Sequence, residues 1–358
     1  MLIQKPRIPV KHVLLFGFLP SFLKVWVYRL KGYKIGKKVS FGLGSVICGE
    51  TVSVGDHTLI GFLTIIRGKE ITIGRHVNIG SVSFLDTPYM DIGDGSKINE
   101  QVFVGGLQFP DSRFVLGRNC QIMQMTFINP ARSIVVGDDT GIGGNCLIFG
   151  HTSWLSHFEG YAVEFEPIEI GNSVSIAWGV FLLPGTKIGD GAVIGANSMV
   201  SRTIPPKCLA IGYPARVVSK YPDFPKEVEE TEKVDMLHKI VDEMIEFNQK
   251  SGLKCTSEND EYRVSRIEKK GWSLQENSWR MTVWYDEISD HDFNPGKNRP
   301  DIFLSLRAIP DNIRKQLFQN NVMWIDIENK EQSDLTNDLG DEVVLFLRRY
   351  GVRFIRVR

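Results

Sequence analysis

The chain has 358 residues, 42 basic and 42 acidic side chains, 42% hydrophobic residues and 23% charged ones, which excludes a disordered, collagen-like or polytopic membrane protein. The length suggests two domains, and the balanced charge points to no nucleic-acid partner. Glycine divides the chain: 27 of 34 lie between 35 and 220 and only 5 in the last 138 residues, so two compositionally different pieces are joined.

The first 49 residues carry nine Lys or Arg and no acid. The apolar run VLLFGFLPSFL (13–23) is interrupted by Pro20, Lys24 and Arg29, well short of the ~20 residues of a spanning helix. No small-residue cleavage site suggests a signal peptide. Within an N-terminal piece 1–34, residues 10–31 are expected to form an amphipathic helical segment. It either packs on the next element or lies in an anionic membrane interface. The cysteines (Cys48, Cys120, Cys146, Cys208, Cys255) are odd in number, scattered and without a CxxC pair. That pattern indicates neither a zinc knuckle nor a disulfide framework and fits a reducing cytoplasm, with peripheral contact at the inner membrane face if the N-terminus touches lipid.

From residue 35 an aliphatic residue followed by glycine recurs at 35–36, 54–55, 73–74, 92–93, 116–117, 136–137, 170–171 and 188–189. The intervals are 19, 19, 19, 24, 20, 34 and 18, with sub-periods of six. Such self-similarity predicts a β-solenoid of three-sided coils over 35–220. One aliphatic residue per hexapeptide would point inward, and the glycine would relieve a corner where a side chain clashes or φ is positive. The long intervals mark two excursions, 105–113 and about 151–168, and loops on a rigid scaffold are where function concentrates.

The stretch LPGTKIGDGAVIGA (183–196), then IPP (204–206) and GYPARVV (212–218), resembles the end of hexapeptide-repeat acyltransferases such as the galactoside, maltose and serine acetyltransferases. Sugar O-acetyltransferases of capsule and O-antigen biosynthesis are the most similar group. The resemblance implies a left-handed parallel β-helix, a homotrimer, an acetyl-CoA donor without a metal, and a sugar or glycan acceptor. It places coenzyme A between subunits along the last coils, at Ala177 and Trp178 of SIAWG, Ala196, Ser201 and Arg202 of VSRTIPP, and Arg216, with Lys207 a weaker candidate. One departure is Ser175, where the family often carries an aromatic residue; Trp178 would wall the site in its stead.

Acetyl transfer to a hydroxyl needs a base, an oxyanion donor and two substrates held together. Histidine is the natural base near neutral pH. His151, in LIFGHTSW at the start of the long excursion, matches the position and Gly-His context of the family's catalytic histidine. No GxSxG is present, so direct attack is expected rather than an acyl-enzyme. His157 is assigned a structural role, and Glu164 and Glu166 either orient His151 or are solvated. Gln124, Asn129 and Trp154 are the candidate acceptor contacts, with a polar corner ladder or core packing as their alternatives. His57 and His76 share a column whose next member is Gly95, so an exposed ladder is expected there and not a three-histidine metal site. Three rival readings stay open: N-acylation of an amino sugar or nucleotide sugar, a longer acyl donor, and a non-enzymatic scaffold or glycan-binding module.

After the proline-bearing linker SKYPDFPKE, residues 221–358 predict a smaller α/β domain with a mixed sheet. A helix at about 226–249 sets Val234, Leu237, Val241 and Met244 on one face. Strands follow at 262–268, 280–286, 302–306 and 323–327, then a helix near 341–350 and a last strand. Trp272, Trp279, Trp284 and Trp324 either present a glycan or fill the core. The cluster YDEISDHDF (285–293) is expected to be a solvated loop.

Overall fold

A computed structural model describes residues 8–153, 155–258, 260–270, 273–288 and 300–357. They divide into two compact units, 1–227 and 228–358. The first is a left-handed parallel β-helix of eight coils, its short strands forming three parallel faces. The register repeats the sequence intervals: Ile35 pairs with Val54, Ile73 with Ile92, Ile92 with Leu116, Val136 with Ile170 and Ile170 with Ile188. An antiparallel hairpin, Cys208–Gly212 with Ala215–Lys220, extends the second face at the last coil.

Inward aliphatics stack into one core. Ile79, Leu85, Ile98, Ile122 and Ile148 are fully buried, each burial contributing about 1.5–3 kcal/mol. Hydroxyls on the inner side of several corners are paired. Thr58, Thr64 and Ser96 donate their hydroxyls at 2.7 Å to the carbonyls of Gly74, Gly80 and Gly117 on the next coil. Such bonds remove the cost of burying both groups.

The two reasons expected for the repeated glycine separate in the structure. Gly55 does not have a left-handed φ; a Cβ there would stand 2.6 Å from the backbone of Gly74 and Arg75. The left-handed residue comes two positions later, in the column Lys38, His57, His76, Gly95, Asn119, Asp139, Ser173, Gly191 and Lys207, with φ between +46° and +72°. His57 and His76 stack there at 4.8 Å, above Gly95, and no group of three ligands able to hold a metal occurs among the described residues. The glycine therefore answers inter-coil contact, and the left-handed turn tolerates ordinary side chains.

The N-terminal segment is helical but broken, with a short α-helix at Val10–His12, a wide π turn at Val13–Gly17 and a second helix at Ser21–Leu30. Pro20 lacks an amide hydrogen and occupies the position before the second helix, so the two pieces do not merge. That helix closes the first coil. Tyr28 packs against Phe41, and Lys24 donates to the carbonyls of Gly42 and Ser45 at 2.6 and 2.9 Å.

The second unit holds a seven-stranded mixed sheet. Its first helix, Glu230–Lys250, starts four residues later than expected, because the proline-bearing segment before it runs in turns. Leu237, Val241 and Met244 are buried on one face, with Val234 partly so. Three elements had no clear pattern in the sequence: the strand Lys254–Glu258, the helix Asp311–Gln319 and the strand Glu331–Ser333. Trp279, Trp284 and Trp324 pack in or against the core. Trp272 and residues 289–293 of the acidic cluster lie outside the described residues.

Replacing Gly55 by Ala is expected to lower the unfolding midpoint, at a cost of about 1–3 kcal/mol for overpacking. Ser40→Ala, at an exposed strand position, should leave it unchanged. Equal midpoints in thermal denaturation would show that the corners are not close-packed.

Candidate active site

Both excursions leave the same corner of the prism, between the third face and the first. The shorter spans 105–112 and the longer 150–167, bounded by strands Phe103–Val104 and Arg113–Leu116, and Leu147–Phe149 and Ile168–Ile170. The longer one folds back on itself. The amide of Thr152 donates to the Glu164 carbonyl, that of Glu166 to the Gly150 carbonyl, and His151 bridges Phe165. The two excursions meet edge to face at Phe109 and Phe165, 5.2 Å between centroids, with the Arg132 guanidinium 4.0 Å over the Phe109 ring.

His151 stands at the root of the longer excursion between two aromatic rings, Phe149 and Phe165, each 6.1 Å away. Its Nε2 lies 2.8 Å from Asn129 Nδ2, and its Nδ1 lies 3.2 Å from Ser153 Oγ. An amide N–H donated to Nε2 makes that nitrogen the unprotonated one and puts the ring proton on Nδ1, facing the serine oxygen. Burial among the rings disfavours the imidazolium and holds the His151 pKa below the ordinary histidine value. Burial therefore favours the neutral ring.

Asn129 is fixed from above and below. Its carbonyl accepts from the amides of Ala131 and Gly150 at 2.9 and 3.0 Å. Its side chain lies beneath Gly106, where a Cβ would come within 2.4 Å of Nδ2. Its own Oδ1 is buried without a hydrogen-bond partner. A groove of about 500 Å³ adjoins this corner, lined by Asp111, Arg113, Arg132, Ser133, Phe165 and Glu166 among others.

One chain brings only part of the expected set together. Asn129 touches His151, and Ser201 and Arg202 close the same corner two coils on, ~10 Å along the stack at ~4.8 Å per coil. Gln124 does not join them. With Trp178 and Ala196 it lies in a column two residues beyond Ile122, Ile176 and Ile194, on the corner between the second and third faces. Ala177 is beside Trp178 on that corner, and Arg216 is exposed in the terminal hairpin. The Trp178 indole lies over Gly144, where a Cβ would stand 2.5 Å from the ring. Glu164 and Glu166 are exposed and meet the rest of the loop through their amides. His157 faces its own loop, with Nδ1 3.1 Å from the Tyr161 carbonyl. Trp154 lies outside the described residues. Sequence reasoning missed Ser153 and Phe165. Ser153 was adjacent in LIFGHTSW, but nothing in the string signalled that it turns back onto the ring.

No family model matches the chain. Galactoside O-acetyltransferase of Escherichia coli strain K12 is 37% identical over 124 residues, covering 32% of this chain and 60% of that protein. The chain resembles the hexapeptide-repeat acyltransferases. A putative lipopolysaccharide biosynthesis O-acetyl transferase of the same organism is 32% identical over 114 residues, 29% of this chain and 58% of that protein. A putative acetyltransferase of Schizosaccharomyces pombe is 33% identical over 109 residues, 30% of this chain and 50% of that protein. The chain thus spans between half and three-fifths of the length of these curated relatives. A solved galactoside acetyltransferase in complex with coenzyme A aligns at 18% identity, covering 60% of this chain and 79% of that one, with a TM-score of 0.29.

An NMR titration of His151 should give a pKa below 6.5. Asn129→Asp would set a carboxylate against Nε2 and raise that value by about 1 unit or more. An unchanged pKa in the variant would refute the contact.

Proposed function

We propose that the protein is an acetyl-CoA-dependent O-acetyltransferase acting on a hydroxyl of a sugar, in a surface polysaccharide or its precursor. The observation that carries this reading is the imidazole of His151, held between Asn129 and Ser153 at the corner from which both excursions leave. The relatives named as a galactoside O-acetyltransferase and a putative lipopolysaccharide biosynthesis O-acetyl transferase support acetyl transfer to a saccharide hydroxyl.

In this reading the acceptor hydroxyl takes the place of the Asn129 amide at Nε2 and gives its proton to that nitrogen. Its oxygen attacks the acetyl carbonyl as the proton leaves. The carbon–sulfur bond then breaks, and the coenzyme A thiolate takes the proton back from the imidazolium. The excess charge on the intermediate oxygen needs a donor close by. Asn129, buried and held by its backbone, keeps the imidazole oriented as the acceptor replaces its amide at Nε2.

The donor would lie along the last coils, with Arg202 and Arg216 meeting phosphates and Ala177, Ala196 and Ser201 letting the pantetheine arm run close to the backbone. Trp178 and Ala196 are on a different corner from His151, so one chain cannot supply both sides of such a site. A homotrimer would set one subunit's second corner against another's third. The outer side of the third face suits a subunit contact: Phe84, Phe103 and Phe127 stack at 5.1 and 4.8 Å, and Leu147 and Phe181 continue the column. The free thiols of all five cysteines are compatible with a cytoplasmic location.

His151→Ala should reduce acetyl transfer by about 10²–10⁴-fold, the usual worth of a general base, with the oligomer unchanged by sedimentation. Turnover close to that of the unaltered enzyme would sink the assignment. Product mass and lability to mild alkali distinguish an ester from an amide. Phe103→Glu should convert trimers into single chains in the same sedimentation experiment; an unaltered mass would move the subunit contact to another face.

A further inference from the structure

The helix Ser21–Leu30 uses only one side to close the solenoid. Lys24 and Tyr28, four residues apart, are buried against the first coil. Phe22, Trp26 and Leu30 form the opposite stripe at the same spacing, and Leu14, Leu15 and Phe18 of the preceding turns join them. All six are 60–71% exposed. Scattered exposed apolar residues need no explanation, but a run of six large ones in seventeen residues does. The segment that carries them has cations and no acid; the Asp56 carboxylate of the next coil accepts from the Lys37 amide at 2.7 Å. Lys11, Arg29, Lys31, Lys34, Lys37 and Lys38 are exposed, and the first acid in the chain is Glu50. Lys31 lies 3.9 Å over the Phe16 ring, so charge and apolar surface are interleaved.

We infer that this end of the prism is a membrane-docking face that takes an anionic lipid bilayer. A second copy of the same face is a poor occupant, because contact would bring two acid-free cationic segments together. A neutral apolar partner would leave the cations unanswered. An anionic bilayer satisfies both parts: side chains enter the acyl boundary, and the lysine ammonium groups meet phosphate, while Arg29 donates to the Ile35 and Gly36 carbonyls. Trp26 and the flanking Lys and Arg are the residue types that anchor proteins at that depth. The second helix has ten residues, ~15 Å at 1.5 Å per residue, so it lies on the bilayer and does not cross it; no described helix is long and apolar enough to span. The face stands at the first coil and His151 leaves the sixth, ~24 Å apart along the stack, so docking and catalysis are separable.

The test is flotation of the full chain with vesicles of phosphatidylcholine alone or with 30% phosphatidylglycerol (about a third, enough to set a surface potential), at low and high salt. The chain should float with the anionic vesicles, and less in high salt. Phe22→Ser combined with Trp26→Ser should weaken binding by about tenfold or more, while the unfolding midpoint and sedimentation stay unchanged. The milder Lys34→Gln, Lys37→Gln and Lys38→Gln triple variant should lower binding to anionic vesicles without touching the apolar stripe. Failure of the unaltered chain to float with anionic vesicles would overturn the proposal. So would a Phe22/Trp26 variant that changed oligomeric mass while keeping its vesicle binding, which would make the face a protein interface. Acetyl transfer to a soluble acceptor is measured in parallel, so loss of docking is distinguishable from failure of the enzymatic reading.

Discussion

Parallel coils stacked at the spacing of a hydrogen-bonded sheet leave almost no room at their corners, and the rest of the molecule follows from that constraint. Every strand between the two end coils has a partner above and below, so the aliphatic residues pointing inward form continuous columns, and the corners must accept backbone from the next coil. Gly55 and its equivalents are there because a methyl group would meet that backbone. Buried threonine and serine hydroxyls take the carbonyls that the tight corners turn inward. A stack of this kind is rigid along its whole length, and its only freedom is to let chain out at a corner.

The molecule uses that freedom twice on one edge. The shorter excursion braces the longer through Phe109 and Phe165, and Phe165 in turn lies against the imidazole. Asn129, on the coil before, is immobilised by backbone bonds and by the absence of a side chain at Gly106. A nitrogen held this way is desolvated, neutral and pointed, which is what proton abstraction from a poorly acidic hydroxyl requires. No carboxylate among the described residues holds the ring. Serine and asparagine orient it without raising its pKa, so neutrality is preserved.

The ends and faces of the prism have different chemistry. The outer side of the third face is an aromatic and aliphatic column. At the first coil, buried Lys24 and Tyr28 close the core, while the helix turns aromatic residues and cations outward. Inward burial closes the fold, and the outward surfaces are what an assembly and a bilayer would use. The second unit is a separate mixed sheet whose described tryptophans serve its own packing.

Sequence periodicity determined the coil count, the register and both excursions: a fixed period sets which residues stack, and a broken period shows where chain is inserted. His151 was singled out as a candidate base by resemblance to a known family, not by the repeat. The amphipathic N-terminus was also legible, though not which side would be buried. What the tertiary structure decided concerns residues distant in the chain. Asn129 and His151 meet across one coil, Phe165 closes from the far end of a loop, and Gln124 belongs with Trp178 on another corner. Six-residue periodicity says that a residue is at a corner, but a side chain's partners there depend on how an aperiodic loop folds back, and no repeat encodes that.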